Sequence, residues 1–251
     1  MNRHVKQLAK SIAPDFLVDA WSERQYRNRR ISKFRHLRVA EDDGYTLEGY
    51  DRLQCIYIHI PKNAGISLTR ALFGSRGGGH LRLSEYRRIF GRKLFNDYFK
   101  FTIVRNPWDR VCSAYHFLRA GGMTDEDRQW AVSHLGRYPT FRDFVLEGIH
   151  REEIRTFLHF RSQCDFICEH GRIGVDFIGY LETLDEDFGK ICEHLGIHAS
   201  LPRLNTSNAK DYREFYDDEM RAVVAECYQE DIARLGYSFE GPCAPLYAEG
   251  L

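Results

Sequence analysis

Two runs of the chain are almost wholly apolar and break abruptly into small and polar residues. They are Cys55 to Ile60, interrupted only by His59, and Phe99 to Val104. Apolar, β-branched runs of this length predict strands covered on both faces. The first gives way to Pro61-Lys-Asn-Ala-Gly65 and then to an amphipathic helix from Leu68 to Phe73, closed by Gly74. The second gives way to Arg105 and then to a helix with Asn106 as N-cap and Pro107 in its first turn, where a missing N–H is no loss. Further on, the pattern predicts helices at Leu81–Phe90 and Thr140–Glu147, a strand at Asp176–Leu181 and a helix at Glu186–Leu195. The longest expected helix is Tyr216–Leu235, capped by Gly236. Strands alternating with helices imply an α/β fold, P-loop-like and three-layered, with a central, mostly parallel sheet flanked by helices.

The first 50 residues have a different texture. Val5 to Ile12 suits a short helix, and Arg24 to Arg38 carries seven Lys and Arg interleaved with Tyr26, Ile31, Phe34 and Leu37. We expect residues 1–50 to be a basic arm packed on a domain spanning 51–251. A peripheral helix with a solvated charged face is the favoured reading of 24–38; contact with an acidic acceptor or a membrane surface is the alternative. Gly74–Gly79 and Gly121–Asp127 are expected to be mobile connections.

Lys plus Arg and Asp plus Glu balance at 36 each, so bulk charge gives no sign of a nucleic-acid partner. Seven scattered cysteines suit a reducing compartment better than a disulfide framework. No apolar stretch approaches the roughly 20 residues of a membrane span, and no signal-peptide core follows the basic first residues. A cytoplasmic, bacterial protein is the expectation.

Chemistry concentrates after the two apolar runs. Backbone N–H groups at a helix start form an anion cradle with the helix dipole. Lys62 adds a movable charge, Gly65 permits close backbone approach, and Ser67 adds a hydroxyl donor. The Gly-x-x-x-x-Gly-Lys-Ser/Thr loop of nucleotide kinases is absent. Arg105, at a strand's carboxyl end, and Ser113, two turns into the following helix, suit a second phosphate.

Taken together, Ile60-Pro-Lys-Asn-Ala-Gly-Ile-Ser-Leu68 and Arg105-Asn-Pro-Trp-Asp-Arg-Val-Cys-Ser113 resemble the two signatures of sulfotransferases that use 3′-phosphoadenosine-5′-phosphosulfate (PAPS). The likeness is to the carbohydrate branch and spans about residues 53 to 240. Val175–Phe188, Leu201–Ser207 and Asp231–Phe239 are similar to later parts of that branch; Tyr180 departs from it, standing where arginine is frequent. The resemblance implies sulfuryl transfer from PAPS to a hydroxyl of a carbohydrate or glycoconjugate, releasing 3′,5′-adenosine bisphosphate (PAP), with no metal. It implies a 5′-phosphosulfate loop of Lys62, Asn63, Ala64, Gly65, Ile66, Ser67 and Leu68, and a 3′-phosphate clamp of Arg105 and Ser113.

Lys62 is then placed to neutralise charge on the leaving phosphate. Arg203, with Asn205 and Ser207, is placed to touch the adenosine or its 3′-phosphate. The general base is left between His80, which follows the glycine loop, and His59, which precedes the lysine loop. Asp109 reads as a helix-dipole partner, and Glu182 as a cap or an acceptor contact. His159, Cys164, Cys168 and His170 lack the spacing of a zinc site. Two other functions compete: a P-loop-like kinase or phosphotransferase, and a non-catalytic PAP-binding protein.

Overall fold

The computed structural model describes residues 28–202 and 211–243. β1 (Cys55–Ile58), β2 (Phe99–Val104) and β3 (Phe177–Tyr180) form one parallel sheet in the order β1–β2–β3. Ile58 lies beside Thr102, and Thr102 beside Ile178. All four residues of β1 are buried, as are five of the six in β2, because helices cover both faces. Parallel pairing puts every strand's carboxyl end on one edge, where open α/β sheets take ligands. β1 stops two residues short of the expected Ile60, since Pro61 has no N–H to continue a ladder and the chain turns there instead.

The helices are α1 (28–36), α2 (Glu48–Leu53), α3 (Gly65–Phe73), α4 (Leu83–Asp97), α5 (Pro107–Arg119) and α6 (Asp125–Leu135). After β3 come α7 (Leu184–His194), α8 (Asp218–Cys227) and α9 (Gln229–Leu235). α4 outruns its expected end at Phe90. Gly91, at φ 78° and ψ 162°, breaks it, and a second helical piece follows. The single helix expected over Tyr216–Leu235 is two, separated at Tyr228, whose hydroxyl donates to the Phe160 carbonyl at 2.6 Å. Gly236 caps α9 in the left-handed region, as its position foretells. Thr140–Glu147 starts as a helix at Phe141 and widens into a π-turn over Phe144–Gly148.

The two glycine loops expected to be mobile are each closely approached at one glycine, although Met123 to Glu126 are exposed. A Cβ on Gly78 would sit 2.7 Å from Leu47 and 2.9 Å from the Tyr86 hydroxyl; one on Gly122 would sit 2.2 Å from the Asp127 Cβ. Of the basic stretch 24–38, residues 28–38 are described. Ile31 and Leu37 are buried, Arg38 forks onto Asp51 at 2.7 Å twice, Lys33 pairs with Asp42, and Arg35 donates to the Arg88 carbonyl. Val5–Ile12 and Arg203, Asn205 and Ser207 lie outside the described residues. One core surrounds the sheet; a second lies among α5, α8 and the turns between α6 and β3. All seven cysteines are free thiols. Among the described residues no helix is long and apolar enough to cross a membrane.

Candidate functional site

The chain leaving β1 makes a loop in which two non-glycine residues, Lys62 (φ 72°) and Ala64 (φ 57°), are left-handed. Such conformations are strained for L-residues and turn successive amides toward one side, a shape that suits anions. α3 begins directly behind it. The N–H groups of Gly65 and Ile66 donate to no described acceptor, and the Ser67 hydroxyl is likewise uncommitted. Gly65 is required for a reason different from the expected one: a Cβ there would fall 1.8 Å from the His59 ring, which packs across the helix start. Leu68 is fully buried and faces the core, whereas Ile66 is exposed. The Lys62 ammonium lies 3.8 Å from the Phe117 ring centroid. Burial, with Arg105 nearby, lowers its pKa to about 8.

Arg105 leaves the end of β2. Its Nε and Nη2 donate to Asp109 at 2.8 Å each, and its Nη1 to the Lys62 carbonyl at 2.8 Å. Three of the guanidinium's five N–H groups are thereby engaged, which orients the other two. Asp109 is therefore an arginine anchor as well as a first-turn carboxylate. Ser113 lies one turn beyond Asp109 on the same helix face, and its hydroxyl has no partner among the described residues.

The residue that ties the ends of β1 and β2 together is Gln163, which the sequence reading missed. Its Oε1 accepts from the Asn63 amide at 2.8 Å and from the Arg105 N–H at 3.0 Å, and its Nε2 donates to the Arg105 carbonyl at 2.8 Å. Asn63, fully buried, also donates to Ile103, so both of its side-chain N–H groups are spent on the protein, bracing the loop from behind. Gln163 is held by Asp231, fully buried, which accepts from the N–H groups of Gln163 and Cys164 and from the Ser162 hydroxyl. Buried Arg110 donates from Nε to the Pro61 carbonyl and from Nη1 to that of Arg161. No local signal marks Gln163, because its partners are 58 and 100 residues away.

His80 lies against His59 with ring centroids 4.2 Å apart, and its Nδ1 is 3.0 Å from the His59 carbonyl. A carbonyl only accepts, so Nδ1 carries the proton and Nε2 keeps the lone pair. Burial lowers the His80 pKa to about 4 and drives that of His59 well below its ordinary value. Both rings are neutral near neutrality. They line a cavity of about 220 Å³ together with Phe117, Phe157, Asp127 and His159. Gly79 from the first glycine loop and Met123, Thr124, Glu126 and Asp127 from the second supply part of its wall.

Glu182 is a cap: its carboxylate accepts from the Asn106 N–H at 2.8 Å and from the Tyr237 hydroxyl at 3.0 Å. Tyr180 is buried and donates its hydroxyl to the Leu235 carbonyl. His159 is bonded to Asp127, and no group of three or more His, Cys, Asp or Glu able to hold a metal occurs among the described residues. The uncommitted groups around the loop are thus a lysine, an arginine edge, two hydroxyls and several backbone amides, those of Gly65 and Ile66 among them. That donor set fits a ligand with two separate phosphate-like groups.

A profile of the Sulfotransferase family matches residues 50–238. An uncharacterized protein of Archaeoglobus fulgidus is 33% identical over 129 residues, 51% of this chain and 93% of that protein. Carbohydrate sulfotransferase 12 of Mus musculus is 25% identical over 194 residues, 63% of this chain and 46% of its own length. The Xenopus laevis protein of that name is 24% identical over 247 residues, 74% of this chain and 59% of its own length. The chain therefore spans about half the length of these two named relatives. No solved structure matches.

Proposed function

The chain belongs to the sulfotransferase family, and from that premise we propose that it transfers a sulfuryl group from PAPS to a carbohydrate hydroxyl. The donor, when bound, supplies an activated sulfuryl group on a leaving phosphate. The Gly65 and Ile66 amides and Ser67 hold the 5′-phosphate, and Arg105 and Ser113 hold the 3′-phosphate. His80 Nε2 takes the proton of the acceptor hydroxyl. The bond that forms joins the acceptor oxygen to sulfur; the bond that breaks joins sulfur to the bridging phosphate oxygen, where Lys62 balances the growing charge. Positioning and electrostatics suffice, as in phosphoryl transfer.

The observation that carries this reading is the His80 tautomer: Nδ1–H is fixed on the His59 carbonyl, leaving a basic Nε2 in a cavity beside the anion cradle. It favours His80 as base, with His59 as its support. The names of the two carbohydrate sulfotransferases support the acceptor class. A kinase reading is disfavoured because carboxylates around the loop, Asp109, Asp127 and Glu182, are already engaged by protein donors.

Calorimetry tests the cofactor: PAP should bind, and ATP with magnesium should not. Transfer of labelled sulfate to a panel of saccharides, read by mass, tests the reaction; a protein that binds PAP and sulfates no acceptor would be a binding protein only. His80→Ala should slow transfer about 10²–10⁴-fold with PAP affinity unchanged. An active His80→Ala beside an inactive His59→Ala that still binds PAP would reverse the assignment.

A further inference from the structure

We propose that Cys164 and Cys168 are a peroxide-sensitive dithiol whose closure to a disulfide loosens the cofactor site through Gln163. The thiol chemistry stands on the pair itself; its effect on the cofactor rests on the sulfotransfer reading.

Sulfuryl transfer uses none of the seven cysteines, and two of them meet. Cys164 opens a single helical turn, Cys164–Ile167, and Cys168 ends it, its N–H donating to the Cys164 carbonyl. The two thiols are in hydrogen-bond contact, and Cys164 Sγ also lies 3.9 Å from the Glu230 carbonyl. Cys164 is buried, whereas Cys168 is half-buried and open to a small oxidant. Arg234, from α9, places Nη1 3.7 Å from the Cys168 sulfur and is held there by the Gly171 carbonyl at 2.9 Å. The hydrogen bond from Cys164 and the Arg234 charge outweigh burial and the nearby Glu230, and lower the Cys168 pKa. The same bond, with burial, keeps the proton on Cys164. An accessible thiolate backed by a protonated thiol is the pairing that peroxide oxidation needs.

The Cys168 thiolate attacks one oxygen of hydrogen peroxide. The S–O bond forms, the O–O bond breaks, and the departing hydroxide takes up the proton that Cys168 gave up. The Cys164 sulfur then attacks the sulfenic acid: the S–S bond forms, the S–O bond breaks, and the Cys164 proton leaves with the hydroxyl as water. Two thiols lose two electrons, and one peroxide becomes two waters.

Residues four apart on a helix hold their Cβ atoms about 5–6 Å apart, and a disulfide needs about 3.5–4.5 Å. Closure therefore tightens this turn by roughly 1 Å or more. Neither end is slack. Cys168 is paired with Ile173 in a short hairpin, and the N–H groups of Cys164 and Gln163 donate to buried Asp231 at 2.9 Å and 2.8 Å. Gln163 in turn carries the Asn63 amide and both backbone groups of Arg105. A shift of that size breaks bonds whose usual length is about 2.9 Å, so the disulfide withdraws the brace that the lysine loop and Arg105 share.

The test uses the whole chain, reduced and then given hydrogen peroxide at an equal concentration. The tryptic peptide 162–172, cut after Arg161 and Arg172, should lose the mass of two hydrogens and regain it in dithiothreitol. A peptide that keeps its mass overturns the proposal. In Cys164→Ala, Cys168 should stop at the sulfenic acid and be trapped by dimedone. Exposed Cys243 is the control, and dimedone labelling there ahead of Cys168 also overturns it. By calorimetry the oxidised chain should bind PAP about tenfold more weakly than the reduced one, reversibly. Cys168→Ser should bind it alike before and after peroxide. A disulfide that forms with PAP affinity unaltered overturns the link through Gln163. Failure of the reduced chain to bind PAP counts against the sulfotransfer reading, and the mass and dimedone signals then decide the dithiol alone.

Discussion

At the scale of single residues, the site depends on close approach and on protonation. Gly65 has no room for a methyl group, because the His59 ring occupies the space at 1.8 Å. Gly65→Ala should cost about 1–3 kcal/mol, the usual range for overpacking, read as a lower urea midpoint, and should weaken PAP binding. An unchanged midpoint would mean that the His59 ring does not sit there. The two shifted groups set a pH window. kcat/KM should rise through about pH 4 as His80 loses its proton, and fall through about pH 8 as Lys62 loses its charge. Lys62→Arg should move the alkaline limb upward; a limb that stays in place removes Lys62 from the mechanism.

At the scale of elements, the ends of β1 and β2 are joined through Gln163, and Gln163 is set by Asp231 at the start of α9. Gln163→Leu should strand the Arg105 backbone groups and half of the Asn63 amide. Each buried unpaired group costs about 1–3 kcal/mol, so a loss of at least about 2 kcal/mol is expected in denaturant unfolding. PAP affinity should fall roughly tenfold, about 1.4 kcal/mol, because Arg105 and the lysine loop lose their common reference point. Lost stability with unaltered PAP affinity would confine Gln163 to the fold. Local pattern placed these elements well, since β2, the Asn106 cap and the glycine caps of α3 and α9 depend on near neighbours. It failed at α4 and at the α8–α9 break, where tertiary contacts decide whether a helix runs on or stops.

At the scale of the whole molecule, three histidines line one cavity, His59 and His159 buried and His80 half-buried, and desolvation lowers the pKa of all three, against an opposing pull from Asp127 on His159. In the unfolded chain they titrate near their ordinary value of about 6.5. Below that pH the unfolded chain binds protons that the folded one refuses, so stability rises with pH across the window. The urea midpoint should therefore be lower at pH 5 than at pH 7.5. His80→Gln should flatten that difference, and an unaltered pH slope would mean that His80 is not held as a neutral ring.

Local pattern was enough to give the parallel α/β layout, the lysine loop after β1 and the Arg105–Ser113 segment after β2, because strands, turns and caps are written in residues a few positions apart. It also named His80, from its place after a glycine loop, but could not separate it from His59. Tertiary structure alone decided that the His59 carbonyl holds the His80 Nδ1–H, that Asp109 anchors Arg105, and that Gln163 bridges two loops. It also brought Asp127 and His159, 32 residues apart, to the same cavity. Each of those is a hydrogen bond set by how the sheet edge and the surrounding helices meet, and no periodicity in the chain encodes it.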